Sequence, residues 1–182
     1  MSIYIVRHGQ TDANKKGIFQ GRMDIELNEE GRKQVQELAN KLRGIKIDYI
    51  LCSPLKRAIQ TAEIISEING IPVKINDKLI ERSFGDMEGK KPTEDFNIDI
   101  LTNLDINYDK HEIESIKDLL KRVNEIIKKI EKEYFDKDII LVTHAGVAQA
   151  ILSYFEKDQK NILKYTLNNA EIRKINLIKE NK

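Results

Sequence analysis

Residues 3–14 read Ile3-Tyr4-Ile5-Val6-Arg7-His8-Gly9-Gln10-Thr11-Asp12-Ala13-Asn14. Four apolar or aromatic residues in a row predict a short buried strand, and the run stops at a cation, an imidazole and a glycine. A strand built for stability alone has no need of that ending. His8 is therefore a candidate nucleophile at the mouth of a phosphate pocket. Its partners must come from elsewhere in the chain.

Further apolar, β-branched runs alternate with helical patterns. Asn28 suits a helix N-cap, with Gly31 and Gln34 close behind and Val35, Leu38, Ala39 and Leu42 at helical spacing. Gly44 suits that helix's end. Residues 48–52 read as a second strand. Ser53-Pro54 then looks like an N-cap with proline at the first helical position, opening a helix that ends near Asn69-Gly70. Residues 72–75 form a short third strand. Residues 113–134 carry a clear amphipathic pattern, and Ile139 to Val142 form a fourth strand followed by Thr143-His144-Ala145-Gly146 and a helix to about Phe155. Residues 172–178 suit an edge strand. Residues 14–26 and 84–112 lack a regular period and read as loop and as an irregular lid insertion.

Strands alternating with helices predict an α/β fold: three layers, α/β/α, around a mostly parallel sheet, in one domain spanning 1–182. Ligands in such sheets bind beyond the carboxyl ends of the strands. Two of the three histidines, His8 and His144, sit just past apolar strands and next to glycine or alanine-glycine. Either alone reads more simply as a hydrogen-bonded structural residue. Together, with arginines near by, they point to a site.

Bulk composition narrows the class. The 182 residues suit one substantial domain. A net charge of +1 argues against nucleic-acid binding by bulk charge. The single cysteine, Cys52, excludes an internal disulfide and, on an apolar strand, reads as a core residue. No run approaches the ~18 apolar residues that span a bilayer, and the first strand starts too close to Met1 for a signal peptide. A cytoplasmic protein without membrane contact is expected. No histidine, cysteine and carboxylate cluster has metal spacing, so no cofactor or metal is expected.

Phosphoryl transfer to histidine makes definite demands. The imidazole must be neutral, and its ordinary pKa of about 6.5 allows that. Permanent cations must hold the dianion, and arginine's planar fork does so best. Arg7 and Arg57 are the candidates, with the helix N-terminus near Pro54 adding its dipole. His144 can donate to a phosphoryl oxygen. One carboxyl group can protonate the leaving oxygen and later activate water, and Glu81, following the third strand, is the best placed.

The motif Arg7-His8-Gly9-Gln10-Thr11-Asp12-Ala13-Asn14 resembles the signature of the histidine phosphatase superfamily, in its phosphoglycerate mutase-like branch. Gln20-Gly21 with Asp24, Leu27, Gly31 and Gln34 resembles the family's next segment. Residues 53–62, Ser53 to Ala62, resemble the block that supplies its second arginine. Residues 81–89, Glu81 to Gly89, resemble the block with its acid. Glu114-Ser115, Arg122-Val123 and Val142 to Gly146 resemble its later motifs. The resemblance implies that His8 is phosphorylated, and that Arg7, Arg57 and His144 complete the phosphate pocket. It also implies that Asn14 contacts the phosphoryl group and that Glu81 donates and accepts the proton. Gln20 and Gly21 fall among its substrate-binding residues. Gln10 departs from the glutamate of many relatives, and residues 168–172 match the closing strand only loosely.

Hydrolysis is expected over mutase chemistry, because the segment after Glu81 is short and no arginine lies between Arg82 and Arg122. The alternatives are mutase-type transfer and a non-catalytic phospho-ligand-binding protein. The expected partner is a small phosphorylated metabolite, and a homodimer stays open. Residues 94–114 hold seven acids (Glu94, Asp95, Asp99, Asp105, Asp109, Glu112, Glu114) against Lys110. A cover of that charge would favour monophosphates with neutral or cationic leaving parts over bisphosphates. The competing reading is a solvated acidic loop. Arg82 is open between substrate contact and an outward structural role. His111, Lys15 and Lys16 read as surface residues.

Overall fold

A computed structural model describes residues 1–92 and 112–177. Five strands, β1 (Ser2–Arg7), β2 (Tyr49–Cys52), β3 (Val73–Ile75), β4 (Ile139–Thr143) and β5 (Ile172–Asn176), form one sheet in the order β3-β2-β4-β1-β5. Every neighbouring pair is parallel except β1 with β5, which is antiparallel at the edge. Among the described residues the α-helices are α1 (Asp12–Lys16), α2 (Glu29–Lys41), α3 (Lys56–Asn69), α4 (Ile116–Glu133) and α5 (Ala145–Phe155).

The alternation of strand side chains divides the interior into two cores. Ile3 and Ile5 of β1, Leu51 of β2 and Ile139 and Leu141 of β4 pack on one face against α4 and α5. Tyr4, Val6, Ile50, Cys52, Ile140 and Val142 point the other way, against α2 and α3. Strands buried on both faces read as unbroken apolar runs, which is why these segments lack alternation. On α4, Ile116, Leu119, Leu120, Val123, Ile126, Ile127 and Ile130 are all buried. Each such side chain is worth about 1.5–3 kcal/mol of burial, so this face anchors the layer.

Three local differences from the sequence expectations have physical causes. Residues 14–16, at the start of the 14–26 stretch expected as loop, belong to α1, because Thr11 and Asn14 make a reciprocal capping box. The helix expected from Pro54 begins at Lys56, with Leu55 as its N-cap and no side-chain cap bond. Ser53, expected to cap it, turns its hydroxyl to His144 instead. The 84–112 insertion begins with a short 3-10 turn over Gly85–Met87. Residues 93–111 of it, with His111 and six of the eight charges counted for residues 94–114, lie outside the described residues. Glu114, counted among those acids, is no free charge: Arg122 makes a two-toothed contact with it at 2.6 and 2.9 Å, and Ser83 N–H adds a third bond. Lys15 and Lys16 are exposed, as expected.

Close backbone approach sets β1's exit. A Cβ on Gly31, at the start of α2, would lie 2.1 Å from Gln10 O, and one on Gly9 would lie 2.6 Å from Gly31 O. Only glycine at both positions lets α2 press the 8–10 turn into place. Gln34 Oε1 receives the Gln10 N–H there at 3.1 Å, and Thr61 Oγ1 receives the Gly9 N–H at 3.1 Å.

Candidate active site

The segments leaving the carboxyl ends of the parallel strands all reach one cleft. Arg7 and His8 leave β1, Arg57 starts α3 after β2, Glu81 follows β3, and Ala145 and Gly146 open α5 after β4. All of these line the cleft. Asn14, Gln20 and Gly21 line it as well. His144 is not in the lining: it is fully buried, and its ring centroid is 5.1 Å from that of His8.

His8 is almost completely buried, and its Nδ1 lies 2.7 Å from Gly9 O. A carbonyl can only accept, so the proton resides on Nδ1 and Nε2 carries the lone pair. Burial, then Arg57, then Arg7 push the imidazole's pKa well below 6.5. The ring is thus a neutral base with its lone-pair nitrogen defined. Arg57 Nε donates to that Nε2 at 3.2 Å.

Arg57 is fixed by the backbone of the 20–23 loop. Its Nη1 donates to Met23 O and its Nη2 to Gly21 O, both at 2.7 Å. That use leaves two of its five N–H groups for a ligand. Burial lowers its pKa to about 10, so it stays charged at neutral pH. Arg7 donates from Nη1 to Leu167 O at 2.7 Å, while its buried Nε has no partner among the described residues. A buried donor left unmet is costly, so this one signals a missing acceptor.

Asn14 shows the same economy. Its Oδ1 accepts from Thr11 N at 3.1 Å and from Asn169 Nδ2 at 3.2 Å. A backbone N–H can only donate, so the amide's orientation is settled and its NH2 is the group left to face the cleft. Thr11 Oγ1 lies 2.9 Å from the Gln20 side-chain amide and holds it at the cleft. Gly21 has φ +47°, and a Cβ there would run into the Glu88 carboxylate. Glu88 Oε1 clasps the loop by accepting from Arg22 N and Phe84 N at 2.9 and 3.0 Å.

The Glu81 carboxylate is held by two backbone donors. Arg82 N gives to Oε1 at 2.8 Å and Gly146 N to Oε2 at 3.2 Å. A Cβ on residue 146 would stand 2.9 Å from Oε1, so glycine is what lets α5 approach the acid.

Of the residues expected at the site from the sequence, Arg7, His8, Asn14, Gln20, Gly21, Arg57 and Glu81 line this one cleft, and His144 packs beside His8 without lining it. Arg82 does not face outward. It is buried, lines the cleft, donates from Nε to Glu114 O at 2.7 Å and lies over the Phe84 ring. The sequence reading missed Asn169, whose Nδ2 bridges His8 O and Asn14 Oδ1 at 3.1 and 3.2 Å. It also missed Gln149, on the cleft-facing side of α5. Asn169 lies in the loosely matching 168–172 segment, and nothing local marks it. Gln149 was detectable as a polar residue in an otherwise apolar helix. The Cys52 thiol is buried and pushed up to about 12, which removes it as a nucleophile.

The outer cleft is largely apolar, with Ile18, Phe19, Phe84, Ile116, Leu119, Ile162 and Leu163 in its walls. Phe19 and Phe84 stack at 4.9 Å between ring centroids. Among the described residues no three histidine, cysteine or carboxylate side chains converge as a metal site, and no helix is long and apolar enough to cross a membrane.

The sequence model of the histidine phosphatase superfamily (branch 1) matches residues 3–182. An uncharacterised phosphatase of Bacillus subtilis is 32% identical over 182 residues, covering 98% of this chain and 90% of its own. A 2,3-bisphosphoglycerate-dependent phosphoglycerate mutase of Thermoplasma acidophilum is 32% identical over 177 residues, covering 95% of this chain and 86% of its own. The crystal structure of a phosphoserine phosphatase from Entamoeba histolytica in complex with 3-phosphoglyceric acid superposes with a TM-score of 0.82 at 26% identity. That match covers 95% of this chain and 89% of the other.

Proposed function

The chain belongs to the histidine phosphatase superfamily, branch 1, and we propose that it is a metal-independent phosphomonoester hydrolase working through a phosphohistidine on His8. The observation that carries this reading is the His8 ring. Its proton is held on Nδ1 by Gly9 O, and its Nε2 lone pair faces the cations that would receive a phosphoryl group.

The proposed sequence has two steps. The phosphate monoester enters with its oxygens toward Arg7, Arg57, Asn14 and the N-terminal turn of α5. As it arrives, the Arg57 Nε–H is exchanged from His8 Nε2 to a phosphoryl oxygen. Nε2 attacks phosphorus, the P–O bond to the leaving group breaks, and Glu81 in its acid form protonates the departing oxygen. The Glu81 carboxylate then takes a proton from water, whose oxygen attacks phosphorus and breaks the P–N bond. Inorganic phosphate leaves and neutral His8 returns. The charge that develops on the transferring group is met by fixed donors, which need no reorganisation during the reaction.

Mutase-type transfer is the second reading, favoured by the Thermoplasma relative, whose matched span is nearly that of the Bacillus phosphatase. Chain length alone therefore does not separate the two chemistries. The apolar outer walls favour hydrolysis. Among the described residues of those walls the only cation besides Arg7 and Arg57 is Arg82, and its Nε is committed to Glu114 O. A turning carboxylated phosphoester would need cations there. A small phosphorylated metabolite is the proposed substrate class. A pocket that binds phospho-ligands without turnover would be expected to have lost one of His8, Arg7, Arg57, Glu81 or His144, and all five are here.

A panel of phosphorylated metabolites assayed with chelator tests the reading. Release of inorganic phosphate, abolished by His8→Ala, supports it. Unchanged release by His8→Ala would end it.

A further inference from the structure

Ser53 is fully buried at the exit of β2, and its Oγ lies 2.7 Å from His144 Nε2. The ring's other nitrogen, Nδ1, is buried and has no partner among the described residues. Burial and the neighbouring Arg57, His8, Arg7 and Arg122 keep this imidazole neutral at neutral pH. A neutral ring has one donor nitrogen and one acceptor nitrogen, so the Ser53 bond decides which is which.

Two arrangements satisfy the 2.7 Å contact. In the first, the serine O–H donates to Nε2, and the ring proton rests on Nδ1. In the second, Nε2–H donates to Oγ. The serine hydrogen then needs an acceptor elsewhere, and among the described residues the other hydrogen-bond contact of Oγ is with a donor, Leu55 N, at 3.4 Å. The second arrangement also leaves Nδ1 as a bare lone pair, which repels a phosphoryl oxygen. The first uses every hydrogen in the pair except the one on Nδ1, and a phosphoryl oxygen would accept that one.

We propose that Ser53 is a positioning residue that donates its hydroxyl proton to His144 Nε2 and so presents Nδ1–H as a donor to the transferring phosphoryl group. This explains why a serine in the N-cap position expected from the sequence does not cap α3. The inference rests on the reading of His8 as the phosphorylated group.

Long-range proton–nitrogen spectra of the 15N-labelled wild-type protein test it directly, with a His144→Asn variant assigning the ring. His144 is expected to show the Nδ1–H tautomer, and the Nε2–H pattern would overturn the proposal. In kinetics, Ser53→Ala is expected to lower kcat/KM about 10- to 100-fold, as loss of a histidine's orienting partner does. Ser53→Thr, which keeps the hydroxyl, is expected to restore most of it. A bond donated to the neutral ring's lone pair opposes protonation, so its loss raises the ring's pKa. The acid limb of the Ser53→Ala profile therefore moves to higher pH. Wild-type rate and pH profile in Ser53→Ala would also overturn it. Should the wild-type protein fail to form phosphohistidine, the phosphatase reading falls, while the tautomer assignment is still decided by the spectrum.

Discussion

Arg57 Nε donates to His8 Nε2 across 3.2 Å, so the proposed nucleophile is already bonded to the cation that would take its phosphoryl group. The same guanidinium is pinned by Met23 O and Gly21 O. Lysine has neither the fork nor the reach to make these three bonds together. Arg57→Lys is expected to lower kcat/KM on the order of 100-fold, with Arg57→Ala lower still. Steady-state kinetics on one monoester check this. A fully active Arg57→Lys would remove the arginine from the account.

Acid should weaken the fold through its buried histidines. Burial and the neighbouring cations push His8 and His144 well below 6.5. Between those lowered values and about 6.5 the unfolded chain binds protons that the folded chain refuses. Stability therefore falls as pH drops below about 6.5, by up to about 1.4 kcal/mol per pH unit for each histidine. Urea midpoints at stepped pH check the slope, which should shrink in His8→Gln. The same shift keeps His8 neutral, so no acid limb near pH 6.5 is expected in kcat/KM from His8.

Gly146→Ala should separate activity from stability. Its Cβ would meet Glu81 Oε1 at 2.9 Å, and the carboxylate is easier to displace than the helix. A fall in kcat of at least about tenfold is expected, with a change in unfolding free energy under about 1 kcal/mol. Equal turnover in the variant would show that the placement of Glu81 is not limiting.

Gly31→Ala should do the reverse. The new Cβ meets backbone, Gln10 O at 2.1 Å and Gln10 N at 2.6 Å, and neither can turn aside. A loss of about 1–3 kcal/mol is expected in urea denaturation. A neutral variant would mean that α2 and the 8–10 turn part easily.

Much of this was legible in the sequence, for identifiable reasons. Ile3 to Val6 and Ile139 to Val142 are buried on both faces, so they read as apolar runs. The spacing of Leu119, Val123, Ile126 and Ile130 could only be helical. Arg7 ends a strand, and His8, Arg57, Glu81 and His144 each follow one, where parallel sheets collect their ligand groups. Other features depend on contacts across the chain. Asn169 reaches Asn14 over 155 positions, and no local period records such a bond. Ser53 had a good local reading as a cap, and a tertiary bond to His144, 91 positions away, prevailed. Glu114 reads in the sequence as one more acid of a cover, but Arg122 and Arg22 pair with it in the fold.

The central claim is a covalent bond from phosphorus to His8 Nε2. Rapid acid-free quenching during turnover of a phosphomonoester in chelator, followed by peptide mapping, measures it directly. The account predicts a phosphorylated His8 peptide that forms and decays at rates compatible with turnover and is absent from His8→Ala. In Glu81→Gln it should accumulate from substrates with good leaving groups, since water activation slows. Full turnover with no phosphate on His8, or with phosphate on another residue, would contradict it.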